Sequence, residues 1–320
     1  MASALRQAPL IMRSQASVPF ARDLAWRLEA FGFDLAQALF RLLSVDVASG
    51  LTGAVVRLIG PLTGVQKTVD RNLRLAFPDM APRRRYALAR AQWENFGRFV
   101  AEFTMMDRLT PASGRIEVIG AEYLREIVEG GGSAVFVSGH FANWEVMPAV
   151  GLAAGIDCQI TYRAANNPYV DARFIASRRK YGVRYFAPKG IDGSRELLQA
   201  LKRGESVALL NDQKFNEGLP ALFFGHVAMT ASGPTRLALR SCGRLHPASI
   251  QRLEGATFRV VFHEPIVLER TGDRDADLAA GVAQVNAFIE ARVRERPQDW
   301  FWLHRRWSDD AYAALDSSAR

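Results

Sequence analysis

From residue 115 onward, short segments rich in Val, Ile and Phe alternate with longer segments of helical periodicity. Alternation of this kind, with Gly at many turns, is typical of a sheet that helices cover on both faces. The sequence therefore predicts an α/β fold. The predicted strands are residues 115–119, 134–138, 158–162, 184–186, 206–210, 248–253 and 258–263, and the predicted helices are 121–129, 144–153, 169–181, 194–202, 235–241 and 277–294.

The N-terminal 112 residues have a different pattern, which predicts amphipathic helices. An apolar stripe recurs every three or four residues, with basic residues between its members. Such a helix can lie in a bilayer interface or pack on the protein's own core. A spanning helix needs about 20 apolar residues, and the N-terminal region lacks a clean run of that length. The stripe consists of Leu24, Leu28, Phe31, Leu35, Leu39 and Leu42.

The composition limits the classes of partner. The formal net charge of +8 favours anionic partners such as phospholipids, phosphorylated substrates or an acidic carrier protein. No usual nucleic-acid-binding motif is present, and aromatic residues are not interleaved with the basic runs, so nucleic acid is not expected. Cys158 and Cys242 lie far apart in apolar stretches, which indicates two structural thiols in a reducing compartment.

The segment Ser138–Glu145, with the sequence SGHFANWE, carries the sharpest chemical signal. It follows an apolar strand and opens a helix, so His140 falls in a turn at the carboxyl edge of the sheet, where ligands bind in α/β folds. Gly139 permits a sharp turn, and Asn143 can cap the helix. Glu145 lies in the first helical turn, where its carboxylate can reach the imidazole and raise its basicity. The pattern predicts His140 as a general base with Glu145 as its carboxylate partner.

Other kinds of site fit this sequence less well. The remaining histidines, at 226, 246, 263 and 304, lack the short spacing of zinc ligands. No Gly-x-Ser-x-Gly nucleophile elbow is present, which disfavours serine hydrolase chemistry. We therefore expect neither a metal nor a cofactor.

The His-x4-Glu pair resembles the His-x4-Asp/Glu signature of glycerolipid acyltransferases, and more narrowly the late (secondary) acyltransferases of lipid A biosynthesis. The similarity runs from about residue 69 to residue 307, in an ordered set of segments. The further matching segments are Arg71-Asn72-Leu73 with Ala76-Phe77-Pro78, Tyr162-Arg163 with Asn167-Pro168, Asn211-Asp212-Gln213, residues 230–234 (TASGP) and residues 302–307 (WLHRRW).

The resemblance implies a fold with a central mixed sheet and a reaction without a covalent enzyme intermediate. An acyl chain on acyl carrier protein would pass to a hydroxyl of a lipid A precursor, an anionic glycolipid. His140 would take the proton of that hydroxyl. The turn backbone or an Arg would stabilise the oxyanion. The protein is then expected at the cytoplasmic face of the bacterial inner membrane, peripheral or weakly anchored, because no obvious N-terminal anchor is present.

The resemblance also implies substrate-binding roles for Arg163, Arg178 and Asp212. Arg178 belongs to a charge run that equally fits a solvated surface, and Asp212 equally fits a turn residue at a strand end. The aromatic cluster of Trp300, Phe301, Trp302 and Trp307 has two interpretations, a membrane-interface belt or a clamp on the protein core.

Two alternative functions remain open at this stage. A related enzyme could acylate another glycolipid, such as a phosphatidylinositol mannoside, from acyl-CoA. A basic membrane-binding protein without catalysis is the second alternative. In all cases the chain is expected to divide into a helical membrane-docking region (1–112), an α/β acyltransferase domain (113–310) and a C-terminal tail (311–320).

Overall fold

The structure is a computed structural model that describes residues 18–162, 164–180, 183, 185–188 and 191–317. The helices are α1 (Phe20–Arg41), α2 (Val45–Ile59), α3 (Gln66–Ala76), α4 (Pro82–Phe103), α5 (Ala121–Glu129), α6 (Val146–Ala153), α7 (Pro168–Lys180), α8 (Ile191–Lys202), α9 (Gly233–Arg240), α10 (Arg274–Glu295) and α11 (Asp309–Ser317). The strands are β1 (Ile116–Ile119), β2 (Val135–Ser138), β3 (Cys158–Tyr162), β4 (Tyr185–Pro188), β5 (Ser206–Leu210), β6 (Leu219–Phe223), β7 (His226–Thr230), β8 (Arg244–Arg252), β9 (Phe258–Phe262) and β10 (Ile266–Val267).

The main sheet is mixed, as the resemblance implied. Seven strands follow the order β1-β9-β8-β2-β5-β3-β4, and β10 pairs with the start of β8. The neighbours β8, β2, β5, β3 and β4 run parallel, whereas β8 is antiparallel to β9 and β10. Helices flank this sheet, so the predicted fold class is confirmed.

The central strand β2 is buried along its whole length. All four of its residues are apolar or small, and β5 and β8 pair with its two edges. A short, almost continuous apolar run is what a parallel strand covered on both faces requires. This strand therefore anchors the turn that follows it, at the carboxyl edge of the sheet.

A second, two-stranded sheet was not predicted from the sequence. β6 and β7 form a hairpin whose turn residues, Phe224 and Gly225, both have positive φ angles, of 52° and 75°. This is the arrangement of a two-residue hairpin turn that matches the strand twist. Phe224 lacks the usual Asn or Asp of such turns, and its side chain is buried, which explains why the turn gave no sequence signal.

The N-terminal helices pack through a close contact between α2 and α4. A Cβ added at Gly97 would come within 2.6 Å of the carbonyl oxygen of Thr52, and one at Gly53 would meet the side chain of Arg98 at 2.7 Å. Small residues thus let the two helices approach closely. The helical region predicted for residues 1–112 is helical in its described part.

The C-terminal segment also joins the core. Residues 309–317 form α11, and the buried hydroxyl of Tyr312 donates a hydrogen bond of 2.6 Å to Oδ1 of Asn72 on α3. The hydrophobic core includes residues from the helical region, the sheet and this last helix. The division into three segments at residues 112 and 310 stays a prediction.

A buried ion pair joins the helical region to the sheet. Glu102 on α4 has no exposed surface, and its two carboxylate oxygens accept hydrogen bonds of 2.5 and 3.0 Å from Arg252 on β8. Ser49 on α2 donates to the same carboxylate, and so does Asn143 in the turn after β2. One carboxylate therefore connects two N-terminal helices, a central strand and the turn that carries His140.

We predict that Glu102→Ala lowers the free energy of unfolding by about 3–5 kcal/mol, because it leaves a buried guanidinium without its partner. The matched control is Glu117→Ala, which breaks a pair with Arg259 whose side chains are about 40% exposed. That change should cost at most about 1 kcal/mol. Urea titration followed by circular dichroism measures both, and equal small losses would contradict the structural role of Glu102.

Candidate active site

His140 and Asp212 lie beside each other because of the strand register. Ser138 at the end of β2 pairs with Leu210 at the end of the parallel strand β5. His140 and Asp212 each stand two residues beyond that pair. The carboxyl ends of neighbouring parallel strands lie at one edge of a sheet, so the two side chains meet there.

Asp212 makes an array of short contacts with the turn. Its Oδ1 lies 2.6 Å from Nδ1 of His140, and its Oδ2 accepts hydrogen bonds of 2.7 Å from the backbone N–H of His140 and from Nε1 of Trp300. The side chain has no exposed surface. Burial alone would raise the pKa of Asp212, but the opposing effects of His140, through charge and hydrogen bonds, and of His304 hold that pKa well below its usual value. The carboxylate is therefore ionised and fixes the proton of His140 on Nδ1.

This geometry corrects the pairing of His140 that the sequence predicted. The carboxylate hydrogen-bonded to the imidazole belongs to Asp212 and not to Glu145. Asp212 was expected to bind substrate, and its buried carboxylate accepts hydrogen bonds from His140 and Trp300, so that role stays a prediction. The short sequence distance between His140 and Glu145 favoured the wrong pair, whereas the sheet register brings residue 212 closer.

Glu145 instead binds Arg178. Its two oxygens lie 2.6 and 2.9 Å from Nη2 and Nε of that guanidinium, and both side chains are largely buried. The guanidinium lies over the rings of Tyr162 and Phe103, 4.8 and 5.4 Å from their centroids. A bidentate pair between two rings holds the cation rigidly. Arg178 is thus part of the site and does not belong to a solvated surface.

The turn after β2 is held by the segment 299–301. The backbone N–H of Ala142 donates to the carbonyl oxygen of Asp299 at 2.6 Å, and that of Phe301 donates to His140 at 3.1 Å. Ala142 has a φ of +44°, a conformation rare for a residue with a side chain. Strain of this kind persists where surrounding contacts impose it, often at active sites.

Gly139 is required by the close approach of Asp212. A Cβ at this position would lie 2.9 Å from the ring of Phe141 and 3.1 Å from Oδ2 of Asp212. A side chain here would push the carboxylate away from the imidazole. The role of this glycine is therefore space for a neighbouring acid, besides the sharp turn that the sequence suggested.

The C-terminal aromatic cluster is a clamp on the core, the second of its two interpretations. The side chains of Trp300, Trp302 and Trp307 have no exposed surface. Trp300 binds Asp212, as described above. His304 is half-buried beside this cluster, and its loss of solvent lowers its pKa to about 4. As a neutral ring it donates from Nε2 to the backbone oxygen of Asp212 at 3.1 Å.

The other face of His140 opens onto an apolar cavity of about 640 Å³. Residues of the neighbouring strands β2, β5 and β3 line it, so the cavity lies against the parallel part of the sheet. It extends from His140 and Gln213 at the strand ends to Phe136 and Cys158 nearer the strand starts. Trp144 stands edge-on to the imidazole, with ring centroids 4.9 Å apart. The volume and the mostly apolar lining are those of a small-molecule binding site.

Of the other residues predicted for the site, two line the cavity and one is not among the described residues. Glu145 and Arg178 line the cavity together with His140, whereas Arg163 lies outside the described residues. Sequence reasoning missed Trp300 and Gln213 as neighbours of the histidine–aspartate pair, although both belong to segments singled out there. Among the described residues, no group of three or more His, Cys, Asp or Glu side chains is arranged to hold a metal ion. The catalytic and binding roles of these residues stay predictions.

Comparison with known proteins identifies the family of the chain. A family model described as bacterial lipid A biosynthesis acyltransferase matches residues 31–309. The lipid A biosynthesis lauroyltransferase of Escherichia coli (strain K12) is 26% identical over 257 residues, which cover 75% of this chain and 78% of that protein. The family resemblance seen in the sequence and the predicted acyltransferase class are confirmed.

We predict that Asp212→Asn lowers the turnover of acyl transfer by at least about 10²-fold. The asparagine amide would donate to Nδ1 and force the imidazole proton onto Nε2, which removes the acceptor that faces the cavity. The control is Asp107→Asn, a carboxylate that pairs with Arg41 away from the cavity. Steady-state kinetics and urea unfolding are measured for both variants. Full turnover in a folded Asp212→Asn protein would contradict the assigned pairing.

Proposed function

Because the chain belongs to the bacterial lipid A biosynthesis acyltransferases, we propose that it transfers a fatty acyl chain from acyl carrier protein to a hydroxyl of a lipid A precursor. One observation carries the proposed mechanism: the imidazole of His140, bonded to Asp212 through Nδ1, borders a large apolar cavity. A general base, an oriented acid and a site for a hydrocarbon chain thus lie together at one edge of the sheet.

The proposed reaction starts at Nε2 of His140. With its proton fixed on Nδ1 by Asp212, the neutral ring has an acceptor on Nε2 for the proton of the hydroxyl. The oxygen attacks the thioester carbonyl, and the carbon–sulfur bond then breaks. The protonated imidazole returns its proton to the leaving thiolate. Asp212 stabilises the imidazolium in between, without being protonated itself.

Arg178 is proposed to bind an anionic part of a substrate at the cavity. It lines the cavity, and Glu145 with two aromatic rings fixes its position. The phosphates of a lipid A precursor and the phosphopantetheine of a carrier protein both carry the required charge. The positive net charge of the chain favours acyl carrier protein, which is acidic, as the donor.

We further propose that α1 and α2 dock on a membrane surface. Sixteen of the 25 exposed large apolar side chains in the described residues lie between Val18 and Val65, so apolar exposure is concentrated in these helices. Contiguous exposed apolar patches mark protein or membrane interaction sites. The apolar stripe predicted from the sequence is exposed at Leu24, Leu28, Phe31, Leu35, Leu39 and Leu42, which favours the bilayer over the protein's own core.

Peripheral docking is proposed in preference to a spanning helix. Within the described residues, the stretch Val45–Leu62 is long and apolar enough to cross a bilayer, and 28% of it is buried against the protein. Its inner side meets ionic groups of α4, since Arg57 binds Glu94 and Ser49 binds Glu102. A helix bound to charged partners along its length fits the interface better than the hydrocarbon interior. We place the protein at the cytoplasmic face of the inner membrane.

The test of the proposed chemistry is His140→Ala. Transfer from acyl carrier protein thioesters to a tetra-acylated lipid A precursor is analysed by mass spectrometry. Loss of a general base should lower the turnover by about 10²–10⁴-fold, while vesicle binding persists. Unchanged transfer would reject the mechanism. Thioesters of the same acyl chain on acyl carrier protein and on coenzyme A are compared in parallel. Activity with the coenzyme A thioester but not with the carrier-protein thioester would favour the alternative donor and another glycolipid acceptor.

The test of membrane docking is the pair Leu28→Asp and Leu222→Asp. The two leucines are 63% and 65% exposed, but Leu28 lies on α1 and Leu222 on the β6–β7 hairpin. Sedimentation with vesicles that contain anionic phospholipid should show weaker binding for the Leu28 variant only. Equal binding by all three proteins would contradict docking through α1.

A further inference from the structure

Acyl transfer creates a negative charge, and three amides of the turn after β2 are already engaged elsewhere. The attacked carbonyl oxygen becomes an oxyanion and needs hydrogen-bond donors at about 2.7–3.1 Å. The turn backbone was one expected source of these donors. However, the N–H of His140 already donates to Asp212, that of Phe141 to the oxygen of Gly139, and that of Ala142 to Asp299. These three amides hold the turn in shape and are committed to that role.

The side chain of Gln213 lies where another donor is needed. It borders the cavity, and its Nε2 lies 3.4 Å from Nε2 of His140. Because the imidazole proton is on Nδ1, the glutamine amide is the donor in this contact. The distance is long for a hydrogen bond, so a substrate hydroxyl can replace the amide at the imidazole with little loss. Asp212 and Gln213, consecutive in the chain, thus approach the two nitrogens of one ring.

We propose that Gln213 is a catalytic residue that donates a hydrogen bond to the oxyanion. The acceptor hydroxyl must lie within about 3.2 Å of Nε2 of His140, and the thioester carbon within about 3.5 Å of that hydroxyl oxygen. The amide displaced from Nε2 then stands next to both groups. The proposal deepens the proposed function and rests on it.

The charge changes along the reaction agree with this role. The hydroxyl proton passes to Nε2 of His140, the new carbon–oxygen bond forms, and the carbonyl electrons move onto the oxygen beside the amide of Gln213. When the tetrahedral intermediate collapses, the carbon–sulfur bond breaks and the thiolate takes the proton from Nε2. Gln213 itself gains and loses nothing, and a neutral amide gives stabilisation that is stronger for the anion than for the starting carbonyl.

The test is the pH dependence of turnover in Gln213→Ala and Gln213→Glu. For an oxyanion donor, the plateau of kcat should fall by about 10²–10³-fold in the alanine variant, with little change in KM for the acyl donor. The glutamate variant, with similar shape but no N–H to donate, should lose at least as much. Lys214→Ala, the neighbouring position, does not border the cavity and is the control.

A merely structural role would give a different result. If the amide only occupies Nε2 of the resting enzyme, its removal takes away a contact of the free imidazole and leaves the oxyanion with the same donors as before. The plateau of kcat in Gln213→Ala would then stay within about twofold of the wild type, and that outcome overturns the proposal. If His140→Ala transfers normally while Gln213→Ala has a lowered plateau, the general base is refuted and the oxyanion donor is not. Failure of the proposed function is therefore distinguishable from failure of this proposal.

Discussion

The site depends on one buried carboxylate, that of Asp212, and on the donors that surround it. An ionised carboxylate without exposed surface is costly unless each oxygen is hydrogen-bonded. Here the donors come from the turn after β2 and from the C-terminal aromatic segment, which are about 160 residues apart in the chain. The fold must therefore close before the imidazole has its partner. This requirement accounts for the buried tryptophans, the space left at Gly139 and the backbone hydrogen bonds between the turn and residues 299–301.

Much of the framework could be predicted from local patterns. The strands that end at Ser138 and Leu210 are short apolar runs, and the position of His140 in the turn after one of them follows from the sequence alone. The contact with Asp212 did not follow, because it depends on which strands are neighbours. Strand order is a tertiary property, and periodicity along one segment contains no information about it. Both residues nevertheless stand at the same distance beyond an apolar strand, a signal that would have identified the pair once the strands were taken as adjacent.

Other features were hidden for different reasons. The hairpin of β6 and β7 turns at Phe224, a residue that rarely adopts positive φ, so tertiary contacts outweigh the local preference there. The aromatic residues near the C-terminus fit either a membrane belt or a core clamp by composition, and only burial distinguishes the two. Gln213 follows Asp212 in the sequence, but it is uncharged and belongs to no motif with a defined spacing. Its proposed role follows from the contact with Nε2 of His140, which only the structure shows.

The ion pair of Glu102 and Arg252 has a consequence for how the protein can be divided. Residues of the N-terminal helices and of β8 bind that one carboxylate, and the turn that carries His140 is attached to it through Asn143. A fragment without the N-terminal helices would leave the buried guanidinium of Arg252 without the carboxylate of Glu102. It would also remove the contact that Glu102 makes with Asn143 in the turn. The N-terminal helices therefore help to hold the candidate site in shape, and a fragment without them would lose the contacts that position the turn.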